Sequence, residues 1–96
     1  MHATIRRYEG IDADVNDELH RKVGESLIPQ LREVEGFRGY YLIDAGDGTT
    51  ISVSLFDTWE QAADSSRISA GWVRDSGFAE AVPPPMITVG EVTAHG

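Results

Sequence analysis

The segment that decides the fold is FRGYYLIDAGDGTTISVSLFD, residues 37–57. Two runs rich in β-branched and aromatic residues, 37–45 and 49–57, flank the glycine-rich loop Gly46-Asp47-Gly48. This pattern predicts a β-hairpin with a tight turn. If the loop holds three residues, the predicted pairs are Ile43 with Ile51, Tyr41 with Val53 and Gly39 with Leu55. The pairing predicts one strongly apolar face of the sheet, with Tyr41 in the core.

The opposite face of this hairpin is mixed in character. It carries Arg38, Tyr40, Leu42, Thr50, Ser52, Ser54 and Phe56. Such a face is too polar for a tight monomer core and too aromatic to meet only water. We therefore expect a second copy of the chain to cover Tyr40, Leu42 and Phe56.

The rest of the chain adds two strands and two helices. Strands are predicted at residues 3–9 and 86–93, and helices at 15–34 and 59–73. Pro29 lies inside the first helical pattern and should kink it or end its regular part early. Thr58 and Gln61 have the spacing of a capping box at the start of the second helix. Pro83-Pro84-Pro85 requires an extended connection before the last strand.

The element order βαββαβ predicts an α+β, ferredoxin-like fold. In this fold a four-stranded antiparallel sheet carries two helices on one face. Residues 1–96 are expected to form a single domain, because the chain is too short for two cores. A chain of this length buries little apolar surface alone and has no cysteine for a disulfide. A homodimer formed through the open sheet face would supply the missing burial.

The charge of the chain argues against several classes of partner. Sixteen acidic and eight basic residues give a formal net charge of −8, which disfavours binding to nucleic acid or to an anionic membrane surface. No apolar run approaches a membrane-spanning length, and the N-terminal residues lack the apolar core of a signal peptide. We therefore expect a cytoplasmic protein. The absence of cysteine excludes thiol catalysis and cysteine-ligated zinc.

Three stretches resemble the dimeric α+β barrel superfamily, and within it the antibiotic biosynthesis monooxygenase (ABM) type. They are EGFRGYY at 35–41 with the hairpin that follows, FDTWE at 56–60 and TVGEV at 88–92. The resemblance covers nearly the whole chain and rests on signatures of the fold more than of catalysis. It implies a homodimer with a ligand cavity between each sheet and its helices. Among relatives it implies cofactor-free oxygenation of aromatic polyketides, haem degradation or no established activity.

The haem-degrading relatives are marked by an asparagine on the first strand and a histidine on the second helix. The first strand here offers Arg6, Arg7 and Tyr8 instead, and the histidines of the chain are His2, His20 and His95 only. Neither marker is matched, so haem degradation is not expected. The chain is predicted to use no cofactor and to have no metal site.

Six residues are candidates for a ligand pocket: Arg6, Tyr8, Arg38, Tyr40, Trp59 and Trp72. The tryptophans can stack on a flat ligand and donate an indole N–H, and the tyrosines can pass a proton or hold a phenolate. An inward-facing arginine needs an acidic partner or an anionic ligand. Structural roles stay open as well: core packing for the aromatic residues, and salt bridges of Arg6 with Glu91 and of Arg38 with Asp57 or Asp44.

Two functions remain open at this point. The chain can be a homodimer that binds a small aromatic ligand without chemistry, or a cofactor-free monooxygenase acting on an aromatic or polyketide-like substrate. No Ser-His-Asp set, Walker loop, HExxH or GxGxxG motif is present, and no catalytic residue can be assigned. An enclosed cavity of several hundred cubic ångströms that touches Tyr40, Trp72 and an arginine would favour the monooxygenase.

Overall fold

The computed structural model describes all 96 residues, and its strands form one antiparallel sheet of four. The strands are β1 (His2–Tyr8), β2 (Phe37–Gly46), β3 (Thr49–Phe56) and β4 (Met86–Glu91). Their order across the sheet is β2-β3-β1-β4, with β1 antiparallel to both of its neighbours. With the helices on one face, this topology confirms the predicted ferredoxin-like α+β fold.

The helices are α1 (Asn16–Lys22), α2 (Ile28–Arg32) and α3 (Trp59–Asp75). A short 3-10 turn precedes α1, and the carboxylate of Asp12 caps it by accepting the N–H of Asp14 at 2.9 Å. The predicted capping box at the start of α3 is confirmed, because Thr58 and Gln61 each bond the other's backbone N–H through their side chains. None of these helices has the length and apolar character needed to cross a bilayer.

A π-helical turn, Val23–Leu27, joins α1 to α2 in one helical segment. In this wider turn the N–H of Ile28 donates to the carbonyl of Val23, five residues earlier. Pro29 follows directly; it has no N–H, and in a regular helix its ring would crowd the carbonyl four residues earlier. The irregularity predicted at Pro29 is therefore confirmed, although it precedes the proline and the helix continues to Arg32.

The hairpin has the predicted pairs, although its loop holds two residues instead of the predicted three, and a register shift between Asp44 and Gly46 gives the same alignment. Ile43 pairs with Ile51, Tyr41 with Val53 and Gly39 with Leu55. The turn residues Asp47 and Gly48 have φ angles of 52° and 78°, in the left-handed region that glycine and short polar residues tolerate. The carbonyl of Gly48 accepts the N–H of Ile11 at 3.0 Å, which ties the turn to the loop after β1.

The two faces of the sheet are the reverse of the prediction. The helices cover the mixed face: Phe56 is fully buried, and Tyr40 and Leu42 pack against the core. The face expected to form the core is open, with Tyr41 62% exposed and Ile43 46% exposed. The predicted contact of a second copy with Tyr40, Leu42 and Phe56 is therefore wrong, and so is the core position of Tyr41.

The reason for this reversal is the size of the side chains on β3. Ser52 and Ser54 are small and fully buried, and they face the buried small residues Ala62, Ser65 and Ser69 of α3. Their small side chains leave room for the Arg6 side chain between β3 and α3, and Ser52, Ser54 and Ser65 accept its N–H groups. The apolar core lies between this sheet face and the helices; it consists of Ile11, Leu19, Val23, Leu27, Leu31, Phe56, Ala62, Trp72, Phe78 and Val82.

Candidate ligand-binding site

Arg6 is a buried cation at the centre of the covered sheet face. The residue is only 1% exposed, and no carboxylate contacts its guanidinium. Four serine hydroxyls accept its N–H groups: Ser52 at 3.2 Å, Ser65 at 3.2 Å, Ser66 at 3.0 Å and Ser54. Fully buried arginines are rare, and burial of a charge without a counter-charge is unfavourable. The serines solvate the guanidinium without neutralising it.

The strand alternation positions Arg6 in this cluster. β1 directs Thr4 and Arg6 toward the helices, and Arg6 lies across from Ser52 on one side and Ile87 on the other. The predicted salt bridge with Glu91 is wrong, because the antiparallel register places Glu91 opposite His2 at the far end of the strand.

Two phenols, Tyr8 and Tyr40, lie beside the Arg6 guanidinium. Burial raises the pKa of both tyrosines above its ordinary value, and the positive charge of Arg6 opposes that rise. Burial likewise lowers the pKa of Arg6, an effect that the two phenols oppose. At neutral pH the cluster therefore consists of a charged guanidinium and two protonated phenols, which are all hydrogen-bond donors.

A small inner cavity of about 30 Å³ lies between the sheet and the helices. Tyr8, Tyr40 and Trp72 line it together with mainly aliphatic side chains. The indole N–H of Trp72 donates to Ser26 Oγ at 3.0 Å and is not free for a ligand. The buried hydroxyl of Ser69, which also lines the cavity, has no hydrogen-bond partner.

A larger cleft of about 250 Å³ adjoins the inner cavity and shares Tyr8 with it. We call it the Arg6 cleft. Its residues come from β1, α3, the connection after α3 and β4: Arg6, Tyr8, Ser66, Ala70, Val73, Arg74, Ala79, Val82, Pro83, Pro84, Pro85 and Ile87. Apolar side chains and prolines form the walls, and every charged residue in the lining is an arginine. In a chain with twice as many acidic as basic residues, this lining contains no carboxylate.

The structure brings four of the six sequence candidates together and separates the other two. Arg6 lines the Arg6 cleft, Tyr40 and Trp72 line the inner cavity, and Tyr8 lines both. No single cavity therefore touches Tyr40, Trp72 and an arginine, as the monooxygenase prediction required. Arg38 is exposed and forms an ion pair with Asp57, as one of the structural alternatives predicted. Trp59 is 53% exposed at the first turn of α3 and lines neither cavity.

Sequence reasoning missed the serines of the site. Ser52 and Ser54 alternate on one strand, and Ser65, Ser66 and Ser69 share a turn of α3. The available signal was Arg6 on β1, an inward-facing arginine in a chain with serines grouped on one strand and one helix. Serine hydroxyls can solvate a guanidinium. No group of three or more His, Asp or Glu side chains is arranged to hold a metal ion.

Comparison with known proteins identifies the fold. No family model matches the sequence, and no curated protein matches it. Solved structures do match. A protein of unknown function from Nitrosomonas europaea, NE2512, superposes with a TM-score of 0.75 at 17% identity, over 99% of this chain and 91% of that one.

Two further structures carry functional descriptions. A putative antibiotic biosynthesis monooxygenase from Bordetella bronchiseptica has a TM-score of 0.75 at 14% identity, over 97% of both chains. The monooxygenase of the ActVA-Orf6 gene of Streptomyces coelicolor, in complex with nanaomycin D, has a TM-score of 0.72 at 16% identity, over 98% of this chain and 88% of that one. The chain therefore has the ferredoxin-like α+β fold of the antibiotic biosynthesis monooxygenase-like proteins.

Proposed function

We propose that the protein is a homodimer that binds a small aromatic molecule in the Arg6 cleft. The observation that carries this proposal is the cleft itself: about 250 Å³, with apolar walls and a few hydrogen-bond donors grouped at its floor. Ligand sites have this composition, because the walls supply burial and the polar groups fix orientation. Typical ligand pockets measure about 300–1,000 Å³, so the cleft suits a small ligand of a few fused rings.

Dimerisation is supported by the open face of the sheet, on residues other than those first expected. The apolar side chains of the open face are Ile5, Tyr41, Ile43, Ile51, Val53, Leu55 and Met86, and Arg7 and Thr88 lie among them. Four of these apolar side chains are 42% to 72% exposed, and the seven residues together span all four strands of the sheet. A contiguous apolar patch of this kind on a small domain favours association with a second copy.

The dimer can be tested by sedimentation of matched isoleucine variants. Ile43 and Ile87 are 46% and 50% exposed, but Ile43 lies on the open face and Ile87 lines the cleft. Ile43→Asp should convert the dimer to monomer, because it buries a charge in the interface. Ile87→Asp should leave the dimer intact. A wild-type chain that sediments as a monomer at micromolar concentration would rule the dimer out.

A cofactor-free monooxygenase is the second candidate function. The fold neighbour that holds nanaomycin D motivates it, and so does the position of the Tyr8 phenol beside the Arg6 cation in the cleft. Oxidation of an aromatic methylene by O₂ yields a ketone and one water, with one oxygen atom in each product. The substrate would lose its first proton to solvent, and Arg6 would stabilise the resulting enolate. O₂ then adds to the enolate carbon and Tyr8 protonates the peroxide; loss of the second methylene proton to water breaks the O–O bond, leaving the ketone, and the released hydroxide becomes water by taking a proton, while Tyr8 recovers its proton from solvent.

One screen tests binding and chemistry in sequence. Native mass spectrometry against quinones, anthrones, flavins and haem asks whether any small molecule binds the intact protein. Bound anthrones are then incubated with the protein while dissolved oxygen is recorded. Binding without oxygen uptake above the uncatalysed rate supports the binding function and excludes the monooxygenase for those substrates. Absence of binding to any compound contradicts both.

A further inference from the structure

We infer that the ligand of the Arg6 cleft is an organic anion, a phenolate, enolate or carboxylate on a flat apolar frame. This inference rests on the proposed ligand-binding function and specifies its substrate class. The negative atom would lie at the floor of the cleft, beside Arg6, Ser66 and Tyr8.

The first argument is the uncompensated charge of Arg6. The guanidinium is held by serine hydroxyls and has no carboxylate within salt-bridge distance. The free-energy cost of removing this cation from water is incurred when the protein folds and not when a ligand binds. An incoming anion therefore brings only its own desolvation cost and meets an attractive charge in a poorly screened environment.

The second argument is the direction of the hydrogen bonds at the floor. Ser66 Oγ accepts an N–H of Arg6 at 3.0 Å, so its own O–H remains available to a further acceptor. Tyr8 is a protonated donor beside the same cation. Because Arg6 is almost fully buried, a ligand would interact with its charge mainly through hydrogen bonds from these two hydroxyls. Donors polarised by a neighbouring cation favour an anionic acceptor.

The third argument is the absence of competing groups. The walls offer aliphatic side chains and three prolines, and a proline has no N–H to donate. The second charged residue of the lining is Arg74 at the rim, whose nearest acidic partner is the exposed Asp75 at 3.4 Å. A cationic ligand would find no acceptor charge in the cleft and would be repelled by both arginines.

The experiment uses 4-nitrophenol, whose colour reports its ionisation, and the uncharged 4-nitroanisole as its matched neutral analogue. Binding to the intact protein is measured across a pH series by calorimetry and absorbance. We expect the phenolate to bind about tenfold tighter than the phenol or more, seen as a lowered pKa of the bound compound. Ser66→Ala should reduce phenolate affinity and leave nitroanisole affinity unchanged.

Controls separate this inference from the proposed function. Arg67→Gln removes a positive charge from α3 outside the Arg6 cleft and should leave the phenolate preference intact. Arg6→Met should abolish the preference; if that variant does not fold, the pKa of nitrophenol bound to the wild type still decides the question. Nitroanisole binding as tightly as the phenolate, or a raised pKa of the bound phenol, overturns the anion inference alone. If neither compound binds at any pH, the ligand-binding function of the cleft is wrong as well.

Discussion

Replacing Ser69 by alanine should stabilise the protein. The hydroxyl of Ser69 is buried beside the inner cavity and has no hydrogen-bond partner. An unpaired buried hydroxyl costs about 1–3 kcal/mol, and alanine is the better helix former in α3 by a few tenths of a kcal/mol. The oxygen removed leaves a slightly larger cavity, which offsets part of this gain. We expect a net stabilisation of about 1–2 kcal/mol.

Urea unfolding and thermal melts followed by circular dichroism measure this change. In a domain of this size, 1 kcal/mol raises Tm by about 4–8 °C. Ser65→Ala is the matched control on the same helix: its hydroxyl donates to the carbonyl of Ala62 at 2.6 Å and accepts from Arg6. That control should lose about 1–3 kcal/mol. If Ser69→Ala is destabilised to the same extent, the Ser69 hydroxyl has a partner in the native protein and the reasoning fails.

Three further predictions concern the two buried phenols, Gly36 in the connection between α2 and β2, and Gly24 in the π-helical turn. Because burial raises the pKa of Tyr8 and Tyr40 in the folded state, stability should be full below about pH 10 and fall as pH rises past it. Tyr8→Phe and Tyr40→Phe should each flatten the alkaline limb of a stability–pH curve, and an unchanged limb would contradict the burial effect. Gly36→Ala should destabilise the protein by about 1–3 kcal/mol, because the φ angle of Gly36 is +82° and an added Cβ would lie 1.9 Å from Oε1 of Gln61 in the capping box. Gly24→Ala meets no atom within 4 Å and should be neutral or stabilising by up to about 1 kcal/mol in the same denaturation assay.

The hairpin register was predictable from the sequence, whereas the choice of covered face was not. The alternation of the side chains favours the alignment that pairs Ile43 with Ile51, and a register shift between Asp44 and Gly46 fits the two-residue turn to it. The choice of face depends on which side the helices can approach. Both faces carry apolar residues, and the deciding factor is the small size of Ser52 and Ser54. A pattern with apolar residues inside and polar residues outside predicts that these serines are exposed.

The position of Arg6 illustrates the limit for the candidate site. Strand alternation correctly groups it with Tyr8 on one side of the sheet. Its burial without an acidic partner could not be predicted, because arginines are almost always exposed or paired. The serines that solvate it come from a strand and a helix that lie 46 to 60 residues away along the chain. Only the tertiary fold brings them together.

The proline segment Pro83-Pro84-Pro85 has a consequence for selectivity among ligands. Proline rings fix the backbone φ angle, so the wall that they form in the Arg6 cleft has little freedom to adapt. A stiff wall loses little entropy when a ligand that fits is bound, and it cannot widen for one that does not. In a series of aromatic acids of growing ring number, affinity should therefore rise with each buried ring and then drop abruptly. A flexible glycine-rich segment in its place would produce a gradual decline.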